Sequence, residues 1–310
     1  MRIAIIGSGA IGGVFASKLQ SAGYTVDFFS KRNDAFIECI IHCNGQISYE
    51  KIINSRQKES TEKYDITIIA VKIYDLQKTI LEYNRILDNS SFILPIQSYI
   101  NFDKMDWLSN ADKVYPVAIM FGAFGKPASL ITYFSDGFIC LGSLKKSNKV
   151  FPHKKILESV CQVFITDNIH FQMFIKVLVN ASIVSFCIES LSSFSQAINT
   201  QDKINQAATI FLEGIMLAKQ IYPIDSVILP NNRQIKNLNT IENSVEIINR
   251  VIKKYPDVIP SIVFDVIRQK QTELKYIYDD IIGLGNSKSF NMKALQKAKN
   301  ELLKNKPGIV

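Results

Sequence analysis

Met1-Arg2-Ile3-Ala4-Ile5-Ile6-Gly7-Ser8-Gly9-Ala10-Ile11-Gly12-Gly13 is the stretch on which the reading of this chain turns. An apolar, β-branched run ends at Gly7, and helical spacing begins at Ile11 and stops at Gly23. Between them lies G-x-G-x-x-G. In a strand–turn–helix setting this spacing predicts a dinucleotide-binding loop, because the chemistry needs glycine at each place. Gly7 makes the tight turn, Gly9 lets the backbone approach a pyrophosphate, and Gly12 lets the helix pack close to the strand. Ser8, Ala10 and Ile11 complete the loop, and the helix behind it offers N–H groups and a partial positive charge to phosphates. The plainer alternative is a structural glycine turn; the flanking strand and helix favour the nucleotide.

The next strand bears on which nucleotide. A chain that binds NAD usually carries Asp or Glu at the end of this strand, for the ribose hydroxyls. Here Val26-Asp27-Phe28-Phe29 runs into Ser30-Lys31-Arg32. Two cations in place of an acid suit a 2′-phosphate, so the cofactor expected is NADP(H), with Lys31 among its contacts. The plainer alternative is a pair of solvated loop charges.

Further out, residues 64–71 and 91–96 read as buried strands, and shorter strand-like runs follow at 114–120, 130–133 and 137–141. Strands alternating with helices predict an α/β fold with a mostly parallel sheet: a Rossmann-type, doubly wound domain over 1–167. From 168 the patterns turn helical, at 169–191, 202–220, 241–254 and 261–282, with Pro223, Pro230, Pro256 and Pro260 as punctuation. An all-helical C-terminal domain over 168–310 is expected, to carry substrate and catalytic groups. Two domains suit a chain of 310 residues.

Composition closes other classes. With 47% hydrophobic and 21% charged residues, the chain is neither disordered nor fibrous. Its net charge of +8 is spread without a basic run or interleaved aromatic residues, so a solvated basic surface is favoured and nucleic acid is not an expected partner. The most apolar stretch, 171–191, contains Lys176, Asn180 and Glu189, whereas a membrane span needs roughly 20 apolar residues with few charges, so no membrane span is expected. With an N-terminus that already reads as a core strand, no secretory segment is expected. Five cysteines, an odd number, then read as reduced thiols in a cytoplasmic protein. Cys39, His42 and Cys43 fall short of a structural zinc set, and no metal is expected.

In the helical half, residues 170–181 are apolar nearly all round, the mark of a buried helix. Gln172, Lys176 and Asn180 nevertheless recur every fourth residue on one face. Such a row must face polar partners or a binding site, since an unpaired buried ammonium is costly. Lysine also loses pKa readily on burial, which suits a proton donor; the plainer alternative is a snorkelling side chain. Downstream, Ser261 after Pro260 has the plain role of a helix cap, and Glu273 that of a solvated or capping residue.

Taken together, these residues resemble the 2-dehydropantoate 2-reductases (ketopantoate reductases), and the resemblance runs the length of the chain. Gly7-Ser8-Gly9-Ala10-Ile11-Gly12-Gly13 matches the family's loop. Asp65-Ile66-Thr67-Ile68-Ile69-Ala70-Val71-Lys72 matches its hydrophobic strand ending in a cofactor-contacting lysine. Lys176-x-x-x-Asn180 matches its catalytic helix. Pro260-Ser261-Ile262-Val263-Phe264-Asp265, with Thr272-Glu273 beyond, matches its substrate-binding segment and the Thr-Glu pair after it.

The resemblance implies a role for each position. Lys176 is the general acid, and Glu273 supports the cofactor and the site geometry. Asn180 hydrogen-bonds the substrate, and Ser261 with the backbone of Ile262, Val263 and Phe264 holds its carboxylate end. The loop Gly7–Gly12, Lys31, Lys72, Ser98 and Ala123 contact NADP(H). The activity implied is NADPH-dependent reduction of 2-dehydropantoate to pantoate, on the path to pantothenate and coenzyme A. The partner is a small-molecule 2-oxo acid, and a homodimer is compatible with the resemblance. Two positions depart from the pattern. Gln97-Ser98-Tyr99 has serine where the family has the asparagine of Gln-Asn-Gly, and Val184 stands where its catalytic helix has a second asparagine. Both departures leave room for two alternatives: reduction of another branched 2-oxo acid, and an NADPH sensor without turnover. A retained Lys176 and Glu273 speak against the sensor.

Overall fold

The computed structural model describes residues 1–30, 36–43, 46–53, 61–125, 130–133, 137–145, 151–222, 227–228, 234–235 and 238–309. Two compact units divide it, Met1–Ile169 and His170–Val310. In chain order the first holds β1 (Arg2–Ile6), α1 (Ala10–Ser21), β2 (Thr25–Phe29), β3 (Phe36–Cys43), β4 (Gln46–Ile53), β5 (Tyr64–Ile69), α2 (Ile73–Glu82), α3 (Asn84–Asp88), β6 (Ser90–Pro95), β7 (Val117–Ile119), β8 (Ala123–Gly125), β9 (Leu130–Tyr133), β10 (Phe138–Leu141), α4 (Lys154–Glu158) and β11 (Gln162–Ile165). The second holds α5 (Ile169–Ser190), which begins at the boundary residue, then α6 (Phe194–Ala197), α7 (Gln201–Ala218), α8 (Ile241–Lys254), α9 (Ser261–Ile267), α10 (Leu274–Ser287) and α11 (Lys293–Asn305). A two-residue ladder pairs Val227 and Ile228 with Ile235 and Gln234. The N-terminal unit is a Rossmann-like α/β fold and the C-terminal unit is helical, as the sequence predicts.

The parallel sheet runs in the order β2-β1-β5-β6. Its central strands are covered on both faces, which is why they read as unbroken apolar runs rather than alternating ones: Ile3, Ala4, Ile5, Ile66 and Ile68 have no exposed surface. One edge of the sheet is fastened by charge. Arg2, opening β1, donates from Nε to the Asp27 carboxylate at 2.7 Å and pairs with Glu62 at 2.5 Å, and the Tyr64 hydroxyl donates to the same Asp27 oxygen at 3.1 Å.

The rest of the unit departs from a simple alternation of strand and helix. A second sheet, ordered β4-β3-β9-β8, combines an antiparallel β3–β4 hairpin with a parallel β3–β9 pair. Asn44-Gly45, between the two hairpin runs, is the dipeptide signal of such a connection in the sequence. Val14, Phe15 and Leu19 of α1 share one core with Ile3 and Ile5 of the first sheet and with Phe121 and Ile131. A third sheet, β11-β10-β7, mixes a parallel with an antiparallel pair.

The helical unit is built on α5, the one helix among the described residues long and apolar enough to cross a membrane, with 83% of that stretch buried inside the protein. The predicted helix over 261–282 is two helices. α9 closes with Arg268 N–H bonded to Phe264 O, and with Lys270 N–H reaching back to Asp265 O at 2.8 Å across Gln269, whose φ is +52°. That is the left-handed turn that usually selects glycine, so the sequence carries no stop signal there. Leu191 after α5 and Ser289 after α10 end their helices the same way, with φ of +50° and +54°. Between α7 and α11, the Glu213 carboxylate accepts from the backbone N–H of Ala294 at 2.9 Å and of Leu295 at 3.3 Å, neutralising the positive end of α11.

α7 lies so close to α5 that a Cβ at Gly214 would stand 2.2 Å from Leu178 Cδ1. Gly214→Ala raises helix propensity but overpacks this contact, a cost of about 1–3 kcal/mol in a filled core. The expected outcome is a lower Tm in thermal denaturation; an unchanged or higher Tm would mean that Leu178 finds another rotamer at no cost.

Candidate active site

The glycine loop connects β1 to α1. Gly7 takes φ +114°, and a Cβ on it would sit 2.6 Å from the Ala70 carbonyl oxygen. A Cβ on Gly12 would sit 2.0 Å from the Gly7 carbonyl oxygen, so the first turn of α1 rests directly on the loop. Gly9 differs: its Cβ would meet only Ala70 O, at 3.9 Å, and the residue is exposed. Two glycines are therefore required by the protein's own packing, while the third leaves surface open for something else. α1 has Gly9 as its N-cap and carries no acidic side chain in its first turn, so its N–H groups and dipole are left for an anion. A pyrophosphate fits this cradle. Ser8, Ala10 and Ile11 are partly exposed around it, and Ser30 at the end of β2 donates to the Ser8 hydroxyl at 2.7 Å, holding the β2 end to the loop. Asp27, the acid within β2, is bonded to Arg2 and Tyr64. Lys31 and Arg32 lie outside the described residues.

The neighbouring strand ends supply the floor. Ala70 N–H donates to Ile6 O at 2.7 Å, and Lys72, partly exposed, is the N-cap of α2. The turn between them is held by a residue the sequence reading passed over. Gln97 is 4% exposed, and its side-chain amide donates to Ile69 O at 2.8 Å and to Val71 O at 2.9 Å. Its Oε1 is buried without a hydrogen-bond partner among the described residues, a state that typically costs about 1–3 kcal/mol. The amide thus clamps both carbonyls flanking Ala70, the residue against which Gly7 and Gly9 lie. Its signal in the sequence was only its place beside Ser98 after a buried strand. Ser98 is half-buried next to it, and Ala123 opens β8, also half-buried.

In the helical unit the polar row of α5 is present. Gln172 is 7% exposed, Lys176 and Asn180 are partly exposed, and Val184 in the fourth place is 2% exposed. Packing around the Lys176 ammonium lowers its pKa to about 8, while the Glu273 carboxylate acts in the opposite direction. Lys176 and Glu273, 97 positions apart in the sequence, are thus brought into electrostatic contact. Glu273 occupies the N-cap position of α10 without a side-chain capping bond. Ser261 is not a cap: Pro260 takes that position, and Ser261 is the first helical residue of α9, exposed. Ile262 and Val263 are buried, and Phe264 is half-buried with the Arg268 guanidinium 5.8 Å above its ring.

The described cysteine side chains contribute no nucleophile here. Cys140, Cys161 and Cys187 are buried thiols, and burial pushes each up to about 12. Cys39, His42 and Cys43 fall in β3, whose side chains are outside the described set.

Comparison with known proteins bears on the family and the fold. The family model "Ketopantoate reductase PanE/ApbA" matches residues 3–146, and its C-terminal companion matches residues 168–303. No curated protein sequence matches the chain. Among solved structures, a 2-dehydropantoate 2-reductase from Geobacter metallireducens superposes with a TM-score of 0.80 at 16% identity, covering 98% of this chain and 99% of that one. A D-mandelate dehydrogenase in ternary complex with NADH and anilino(oxo)acetate gives 0.81 at 18% identity, covering 100% and 99%. A dimeric ketopantoate reductase from Staphylococcus aureus gives 0.74 at 18%, covering 100% of both chains. At these identities the structural likeness speaks to the fold.

The loop geometry separates two substitutions. Gly9→Val should leave the unfolding temperature near that of the wild type and abolish cofactor binding, because the side chain fills the space of the pyrophosphate. Gly12→Val should lower the unfolding temperature sharply, because its Cβ meets backbone. Calorimetry beside a cofactor fluorescence titration checks both; a Gly9→Val protein with near-normal NADPH affinity would show that the loop is only structural.

Proposed function

The chain belongs to the ketopantoate reductase family, and we propose that it reduces a 2-oxo acid to the 2-hydroxy acid with NADPH, 2-dehydropantoate being the substrate and pantoate the product. The observation that carries the proposal is Lys176, an ammonium in the wall of an apolar helix with its pKa lowered to about 8 beside Glu273. A group poised near neutrality is what general acid catalysis requires.

The dinucleotide, when bound, supplies the reducing equivalent to the keto carbon. Ser8, Gly9, Ala10, Ile11 and Gly12 hold its pyrophosphate through backbone N–H groups, and Gly7, whose own N–H donates to Phe29 O at 3.0 Å, makes the turn that presents them. Lys31, Lys72, Ser98 and Ala123 contact the remainder, with Lys31 on the 2′-phosphate. Ser261 and the backbone from Ile262 to Phe264 hold the substrate carboxylate, and Asn180 orients the substrate by a hydrogen bond. Lys176 donates a proton from Nζ to the keto oxygen as charge develops there, and its ammonium stabilises that charge before transfer. Glu273 keeps the lysine protonated and supports the cofactor. The protein acts as a homodimer in the cytoplasm, a reading supported by the dimeric relative and by buried, reduced thiols.

A second substrate reading has an observation of its own. Val184 continues the row of Lys176 and Asn180 as an apolar, buried side chain. That favours another branched 2-oxo acid, one with an apolar group at this place, and a mandelate dehydrogenase shares the fold. A panel of 2-oxo acids that includes 2-dehydropantoate, followed by NADPH oxidation, decides between them. Failure of every acid would favour a protein that binds NADPH without turnover.

Lys176→Ala should lower kcat by about 100-fold or more, the size of a lost positioned acid, and leave NADPH affinity little changed. In the wild type, kcat for reduction should fall as pH rises through about 8, where the lysine loses its proton, and the variant should lack that limb. Turnover near the wild-type value in Lys176→Ala would remove the residue from the mechanism.

Wild-type protein should bind NADPH more tightly than NADH. Alanine at both Lys31 and Arg32 should weaken NADPH alone. Equal wild-type affinities in a fluorescence titration would overturn the cofactor assignment.

A further inference from the structure

Glu273 acts on Lys176 from the N-terminal end of α10, so the pair depends on how that end is held. Two hydroxyl groups hold it. Thr272, 5% exposed, donates from Oγ1 to the Ile309 carbonyl at 2.6 Å, and the same oxygen accepts from the Leu274 N–H at 3.4 Å. One side chain thereby starts α10 and fastens the residue before Glu273 to the segment that returns from α11. Gly308, at φ +90°, makes the turn that delivers Ile309 to it. At the other side of Glu273, Tyr278 is 1% exposed and donates its hydroxyl to the Ala181 carbonyl of α5 at 3.2 Å. Ala181 follows Asn180 directly and lies one turn beyond Lys176. Ser185, a further turn along α5, also bonds the phenol. A buried phenol has few ways to place its O–H, and a helix carbonyl has a second lone pair to receive it, so this contact sets the register of α10 on α5.

We propose that Thr272 and Tyr278 are positioning residues that set the Glu273 carboxylate against the Lys176 ammonium, one from each side. Neither touches reacting atoms. The charge acting on Lys176 is that of Glu273; the ionisable groups near Glu273 on its own helix are Tyr276 and, beside that phenol, Asp280. If either hydroxyl is lost, Glu273 drifts and the lysine loses the neighbour that favours its charged form, so its titration midpoint falls. The catalytic consequence rests on the reading of Lys176 as proton donor; the positioning itself does not.

The test is the titration of Lys176 in the full chain, followed by NMR after reductive 13C-methylation, with the resonance assigned by its absence in Lys176→Arg. Glu273→Gln should lower the midpoint. Thr272→Val and Tyr278→Phe should each lower it by about half a unit or more, while Thr272→Ser, which keeps the hydroxyl, should retain the wild-type value. The upper limb of the kcat profile should move with the midpoint. Unchanged midpoints in Thr272→Val and Tyr278→Phe, or a Thr272→Ser that shifts as far as Thr272→Val, would overturn the inference. If Thr272→Val does not fold, Tyr278→Phe, which removes a single oxygen, decides alone. A midpoint that moves while the kcat limb stays put would leave the positioning intact and remove the proton-donor reading.

Discussion

A Cβ at position 12 would lie 2.0 Å from the Gly7 carbonyl oxygen, and most of the N-terminal unit follows from that clearance. Because Gly12 has no side chain, α1 can start on top of the loop that ends β1. Because Gly7 takes φ +114° against the Ala70 carbonyl, the loop can pass between two strand ends. α1 then lies where Val14, Phe15 and Leu19 join Ile3 and Ile5 in the core that also takes in Ile131 of the second sheet. The anion cradle is a by-product of the same packing: a helix that begins this abruptly, with Gly9 as its cap, presents its N–H groups outward.

The helical unit has the opposite problem, a charge in an apolar wall. α5 is buried on nearly every side, yet it carries Lys176 in the same row as Gln172 and Asn180. Burial lowers the lysine's pKa and Glu273 resists the shift, and the balance near 8 keeps a proton both present and transferable around neutral pH. The opposing charge comes from another helix, at the N-terminal end of α10.

Much of this was legible in the chain itself. The strand before the glycines, the helix after them and the polar row all come from periodicity and residue type, and each is where the spacing predicts it. What escaped reading has a common cause. The helices that close at Leu191, Gln269 and Ser289 do so through left-handed residues that are not glycine, so a search for glycine stops runs straight through the break between α9 and α10. Gln97 escaped because a glutamine after a strand has no pattern of its own. Its importance lies in two carbonyls more than 25 positions earlier. The second sheet escaped because β3 pairs in parallel with β9, ninety positions on, and in antiparallel with its neighbour β4.

The sequence by itself determined the α/β-then-helical organisation, the glycine loop and the lysine of the polar row, because these are local: each depends on which residues follow one another within a few turns or along one strand. Only the tertiary structure decided that Glu273 is the charge beside Lys176, that Thr272 bonds Ile309 and Tyr278 bonds Ala181, and that Asp27 belongs to Arg2 at the sheet edge. Those pairings join residues between 25 and 97 positions apart. Spacing within an element cannot encode them, since they arise when separately formed elements pack and their buried polar groups must find partners.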